Sequence, residues 1–594
     1  MKKIIYGLAL AAVTLASCSD FLDKEPSNKL DAGKFFANES ELVLYANGLY
    51  VDMIPSAEDL TNSGSGTCDY LATSTTSSLL MPDFNADKMS GWTYSAWTNL
   101  YRCNYFLKNI DKAAATTDVA TLNHYRGVAK FWRAYFYFDK VKTYGNLPWY
   151  SEPIDAGDSI QLYKERDSRE VIMDSVLQDI NYACKYIRGG KDELVSRYAA
   201  LALKSRICLF EGTYRKYHAV NPSTNQPWQE TDGARKYLQA CVDASEELMN
   251  SGEYSLVNTG KPATDYRSLF QSEKPNTTEI IMAREYSADL QSTHNVTQKF
   301  NSAGNDTRRW SPTQDFVNTY LNLDGSRFTD ATDYDKKTFA ENCTNRDYRL
   351  QQSVITPTYI KNMNGTPSRY NATWSVTMTG YQVIKFNMDD TYYEQTSRCS
   401  NAIPIFRYAE ILLNEAEAKA ELGEMDENVW DKTIRPIRER AGVNGKAPAT
   451  ADPYLISYYN NKVTDKWLLE IRRERAIELF FEGGGLRYDD LMRWAEGDML
   501  MKPWNSIYIG SKDVAYDTNG DGVKDLEVVD KKPSSTPSGV FLVDLSKSNY
   551  YTFKDGRLYI TNENSWTDRK YLHPIPKAAL VKNPNLKQNY GWEQ

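Results

Sequence analysis

Residues 468–494 read LLEIRRERAIELFFEGGGLRYDDLMRW. Ile471, Arg475 and Leu479 are spaced by four, so they share one face of a helix. An arginine therefore interrupts an apolar stripe. Glu474, Glu478, Glu482, Asp489 and Asp490 crowd the same segment. Paired carboxylates can perform acid–base work. Both signs of charge on an apolar face fit a different role, that of a buried ion-pair anchor between helices. The segment is read as scaffold. Gly483, Gly484 and Gly485 loosen the turn between Glu482 and Arg487, which weakens the case for a pair between those two.

The same helical period spreads outward. Asn38 with Glu41 reads as a capping box for a helix marked by Leu42, Tyr45 and Leu49. Residues 55–91 are rich in Ser, Thr, Gly and Asp and read as a long loop. Aromatic helices are expected over 92–112 and 122–144, the latter apolar on most sides and hence interior. Three more follow, marked by Ile172–Ile187, Ala199–Phe210 and Ala234–Leu248. Consecutive pairs of this length suggest TPR-like helical hairpins, without a strict repeat. From about 253 to 400 the period fades, and loops with short strands are expected. Helices return at 405–422 and 465–482, and 503–570 is irregular again.

The N-terminus carries Lys2 and Lys3, an apolar run IIYGLALAAVTLA, and then Leu15-Ala16-Ser17-Cys18. The run is too short to span a bilayer. The four residues look like a lipobox. Residues 1–17 are read as a lipoprotein signal peptide, Cys18 as the acylated (palmitate-type) N-terminus, and 18–34 as a tether. No later stretch offers 18 consecutive apolar residues.

The chain has 594 residues, 25% of them charged, and a formal charge of −8. Loss of Lys2 and Lys3 with the signal takes this to −10. A net acidic body disfavours nucleic acid as a partner. The 42 tyrosines and 13 tryptophans are in surplus and suit either packing or a surface that stacks on ligands. Seven cysteines beyond Cys18 are too sparse for a disulfide scaffold, although Cys343 and Cys399 are a possible bridge. His124, His218, His294 and His573 fall in no metal pattern.

Several ordered segments together resemble the SusD/RagB family of outer-membrane lipoproteins. They are RAYFYFDKVKTYGNLPWY (133–150), IFRYAEILLNEAEAKAELG (405–423), IRPIRERAGV (434–443), the opening stretch, and YLHPIPKAALVKNPNLKQNYGW (571–592). The departure is the glycine triplet, a two-residue insertion before Leu486-Arg487. The resemblance implies a mainly α fold: a SusD-like helical scaffold with TPR-like hairpins plus a loop-rich, irregular ligand-binding portion with short strands. One SusD-like domain would span 35–594, with N-terminal helices to about 252, a variable part at about 253–400 and a family-motif part at about 401–594. It also implies a cell-surface protein, lipid-anchored to the outer membrane and not an enzyme. Such a protein captures oligo- or polysaccharide and delivers it to a SusC-like TonB-dependent transporter. A peptide-binding member of the same scaffold and a surface glycoside hydrolase are the alternatives.

Sugars expose C–H faces to aromatic rings and hydroxyls to polar side chains. Candidate glycan contacts are Trp92, Tyr94, Trp97 and Asn99 in SGWTYSAWTNLYRCN (90–104), and Trp310, Tyr370, Trp374 and Tyr381 in the variable part. The family resemblance implies an aromatic arc drawn partly from the first group. Trp132, Trp430, Trp467 and Trp494 read as core. In DTNGDGVKD (517–525), Asp517, Asn519 and Asp521 alternate before Gly522, the first half of an EF-hand-type loop. The Val523 backbone and Asp525 would complete a structural calcium site; position 12 would be Val528, which has no carboxylate.

Overall fold

A computed structural model describes residues 35–61, 68–75, 77–191, 193–301, 309–535, 537–561 and 564–593. The lipobox, Cys18 and the tether lie outside the described residues. Helix α1 (Glu39–Met53) starts at Asn38, whose side chain accepts from Glu41 N at 3.2 Å. Glu41 returns the bond to Ala37 N at 2.7 Å, one residue earlier than a capping box requires. The helix expected at 92–112 is split into a 3₁₀ turn Tyr94–Trp97, helix α2 (Thr98–Asn109) and a second 3₁₀ turn Ile110–Ala115.

Two helical hairpins follow, as the periodicity predicts. Helix α3 (Val119–Tyr144) is capped by Asp118 and ends at Gly145, where φ is 71°. It runs antiparallel to α4 (Arg169–Tyr186): Gly127 faces Ala183 and Ile187, Arg133 pairs with Asp179 at 2.6 Å, and Arg169 donates to Val141 O. Helices α5 (Arg197–Tyr217) and α6 (Gly233–Asn250) pair the same way. Ser205 Oγ meets Ser245 Oγ at 2.8 Å, while a Cβ on Gly212 would lie 2.9 Å from Leu238 N. Among the described residues no helix is long and apolar enough to cross a membrane.

The expected helix at 405–422 begins later. Residues Ile403–Arg407 form strand β2, paired antiparallel with β1 (Ile280–Arg284), and helix α7 (Tyr408–Leu422) follows. All five β2 residues are buried, and a short buried apolar run has no period that separates strand from helix. Helix α8 covers Glu427–Arg440, α9 Lys466–Glu478 and α10 Leu486–Arg493. The variable part holds short helices as well as strands, among them Val296–Asn301, Gln314–Asn318 and Tyr348–Ser353. Two three-stranded sheets occupy the second irregular stretch. Cys343 and Cys399 are free thiols, so the bridge considered above is not formed.

The 468–494 segment is the charged centre of the scaffold. Arg407 donates to Glu279 at 2.9 Å, Glu478 at 2.6 Å and Glu482 at 2.7 and 2.8 Å. Arg349 bridges Asp347, Glu474 and Glu478, and Arg440 reaches Glu478 and Glu279. Arg475 pairs with Asp490 at 2.8 Å and donates to Asn414. These groups are all buried. Each carboxylate accepts from several guanidinium donors, which compensates the loss of water. The glycine triplet turns the chain with positive φ throughout. A Cβ on Gly484 would lie 2.5 Å from Asp59 O, so the backbone approach there demands glycine.

Candidate functional site

The 3₁₀ turn Tyr94–Trp97 raises a ledge of aromatic rings at the start of α2. The Trp92 ring lies 5.3 Å from Trp97 and 5.0 Å from Tyr144, edge-on to the latter at 74°. Trp97 also packs on Phe136 at 5.7 Å and Tyr150 at 6.1 Å. Both indoles are half-buried. They are thus braced from below by α3 and the segment after it while keeping surface to offer. Tyr94 stands 86% exposed and Tyr101, two turns along, 41%. Asn99 donates to Asp52 O at 3.3 Å, which ties α2 to α1. Burial pushes the Tyr144 and Tyr150 hydroxyls up to about 12, so these supporting rings stay neutral at physiological pH. Tyr101, Tyr144 and Tyr150 were not singled out in the sequence; Tyr144 and Tyr150 flank the Gly-Asn-Leu-Pro stop of α3, where no period marks a site.

The four candidates in the variable part do not join this ledge as an exposed surface. Trp310 is 4% exposed and stands edge-on to Phe481 at 5.8 Å. Trp374 is 3% exposed and its indole N–H donates to Thr518 Oγ1 at 2.8 Å. Tyr381 is fully buried and donates to Gln314 Oε1 at 2.9 Å. These three are core residues, a correction to the expectation of ligand-facing rings. Tyr370 is half-buried, with Lys361 Nζ 3.4 Å from its ring centroid, so a cation covers one face. Trp132, Trp430 and Trp494 are core as expected; Trp467 is half-buried against Trp430 at 5.7 Å.

The 517–525 loop turns as its glycines require, with Gly520 and Gly522 at φ 76° and 88°. Its side chains satisfy one another. Asp517 accepts from the Gly520 and Gly522 amides, each at 2.7 Å. Asn519 Oδ1 accepts from Asp521 N, and Asp521 accepts from Val523 N at 2.8 Å and from Asn371. Asp525 accepts from Thr518 and from Asn519 Nδ2 at 2.7 Å. Burial raises the Asp525 carboxyl above its ordinary range, with Asp517 and Asp521 adding to the effect. Among the described residues no three His, Cys, Asp or Glu side chains gather to hold a metal. The loop closes as a hydrogen-bonded turn around these side chains.

The carboxylates of the 468–494 segment have partners too. Glu474, Glu478, Glu482 and Asp490 are held by guanidinium groups, and Asp489 accepts from Lys142 at 2.7 Å. Nearby arginines keep the Glu474, Glu478 and Glu482 carboxyls below their ordinary range against the opposing effect of burial. Their chemistry is that of a scaffold rather than of a proton donor.

Comparison with known proteins agrees with this architecture. Residues 278–592 match the model of the SusD family, and residues 41–218 match a model described as starch-binding associating with outer membrane. SusD-like protein P38 of Formosa agariphila is 24% identical over 85% of this chain and 95% of its own. A SusD-like carbohydrate binding protein of Bacteroides fragilis superposes with a TM-score of 0.65 at 21% identity, covering 93% of this chain and all of that one. The surface glycan-binding protein A of Bacteroides fluxus gives 0.56 at 18% identity, with 93% of this chain covered and 100% of that one.

Proposed function

The chain belongs to the SusD family, and on that premise we propose that it is a glycan-binding lipoprotein of the cell surface. The observation that carries this reading is the ledge: two half-buried indoles and an exposed tyrosine on a braced turn. Flat apolar faces with polar edges suit the C–H faces and hydroxyls of a sugar. The descriptions of the 41–218 family model and of the two structural neighbours support the ligand class.

In this reading acylated Cys18 tethers the protein to the outer membrane. The protein holds an oligo- or polysaccharide for a SusC-like TonB-dependent transporter, which powers uptake. It does no chemistry on the glycan. Affinity comes from stacking, and transfer from release to the partner.

The test is calorimetry of the chain without its signal peptide against soluble polysaccharides and oligosaccharides, with the solutions then analysed for breakdown products. Binding without products is expected. Products would make the protein a hydrolase, and silence across the panel would move the ligand class to peptide. Cys18→Ala should release the protein from membranes; retention there would remove the lipid anchor.

A further inference from the structure

A depression of about 810 Å³ opens between residues 322–331 and 337–345 and shares no residue with the aromatic ledge. That volume falls in the range of small-molecule sites. Its walls are tied together: Leu323 N donates to Asn345 O at 3.0 Å, and Asn322 N to Ser326 O at 3.0 Å around Gly325. The cleft is therefore preformed. Its aromatic ring, Phe328, is buried and has Arg346 over its face at 3.7 Å from the centroid. Recognition here must come from hydrogen bonds rather than stacking.

The lining selects among ligand classes. Its two cations are committed. Arg327 donates to Thr450 O at 3.1 Å and lies 3.6 Å from Asp452, and Lys337 lies 3.3 Å from Asp333. An anionic ligand would have to displace those partners. A metal ion lacks a cage, since no three candidate ligands gather among the described residues. Acceptors are in surplus. Asp324 and Glu341 each engage one oxygen with a local serine or threonine and keep the other. Asp330 and Asn345 are exposed and have no side-chain partner among the described residues. Free acceptors beside a free amide match a ligand that brings many hydroxyl donors and no charge.

We propose that this depression is a second sugar subsite, taking a neutral oligosaccharide through hydroxyl bonds to Asp330, Glu341 and Asn345. The proposal rests on the glycan-capture reading and adds to it a second, separate contact.

The test is calorimetry with maltoheptaose, cellohexaose, xylohexaose and mannohexaose on three proteins: wild type, an Asp330→Ala/Asn345→Ala variant and a Trp92→Ala/Tyr94→Ala variant. Asp330 and Asn345 are exposed, so the first variant should stay folded, its Tm lowered only by the left-handed φ of 57° at Asn345, which alanine tolerates less well than asparagine. A probe that binds wild type should bind this variant about tenfold more weakly, as expected for losing a hydrogen bond to a charged group. If only the ledge variant loses affinity, the second subsite is overturned and the glycan reading stands. If only the depression variant loses affinity, the subsite stands and the ledge loses its role. If no probe binds wild type, the neutral-oligosaccharide subsite is overturned, while glycan capture is still judged by the polysaccharide panel.

Discussion

Arg487 clasps Asp69 from 418 positions away, Nε to Oδ1 at 2.8 Å and Nη2 to Oδ2 at 2.6 Å. Tyr458 adds a third donor at 2.8 Å. Burial works against the charged carboxylate, but Arg487 holds Asp69 below its ordinary range. Glu482, five residues before Arg487, bonds instead to Arg407 and Lys385. The glycine triplet thus separates two charges that go to different parts of the molecule. Asp69→Ala leaves a buried guanidinium without its partner and should lower stability by about 3–5 kcal/mol. Denaturant unfolding checks this. A loss under 1 kcal/mol would mean that Arg487 finds another partner or water.

At the ledge, Tyr94 and Trp97 should behave differently. Tyr94 is exposed, so Tyr94→Ala should leave Tm in place and weaken glycan binding about tenfold, roughly 1.4 kcal/mol. Trp97 packs on Phe136 and Tyr150, so Trp97→Ala should also cost stability, about 3 kcal/mol. Parallel calorimetry and thermal melts separate the two effects. Unchanged affinity in Tyr94→Ala would take that ring out of the site.

Trp310, by contrast, should matter for folding alone. Its ring packs on Phe481 in the turn after α9, so Trp310→Ala should cost about 3–5 kcal/mol while the folded fraction binds glycan as wild type does. Lost affinity at full folding would return Trp310 to the binding surface. The sequence could not separate Trp310 from Trp92. Neither sits inside a helical period, and what buries Trp310 is a turn more than 150 positions further on. Arg475 was legible for the opposite reason: its place in an i, i+4 apolar stripe is local information, and Asp490 supplied the predicted partner. The hairpins α3–α4 and α5–α6 were readable on the same ground. Strand β2 was not, because its pairing with β1 depends on residues over a hundred positions away.

The 517–525 loop makes a prediction about metal. Its carboxylates are engaged by the loop's own amides and side chains, and a neutral Asn371 completes Asp521. Chelation with EDTA should leave Tm unchanged, and added calcium should not raise it. A calcium-dependent rise of several degrees would mean that the loop rearranges around a cation, with another segment supplying the carboxylate that Val528 lacks.

Acid should unfold this protein without first disarming the ledge. His124, His218 and His294 are buried and His573 is half-buried. Burial pulls His218 and His573 down to about 4; burial, aided by Arg188, does the same to His124; and burial lowers His294. In the unfolded chain each would titrate near 6.5. Below that pH the unfolded state takes up protons that the folded state refuses. The stability given by neutral histidines is therefore full above about 6.5 and is lost as pH falls towards 4, at roughly 1 kcal/mol per pH unit for each. The histidine contribution should make Tm drop from pH 6.5 downward, and His573→Gln should blunt the drop. The Tyr144 and Tyr150 hydroxyls beneath the ledge, near 12, do not titrate in that window. Glycan affinity of the folded protein at pH 5.5 should then equal that at pH 7.5. A flat Tm across the same range would show that the histidines exchange protons with solvent in the folded state, and a falling affinity at constant fold would place a titrating group within the binding surface.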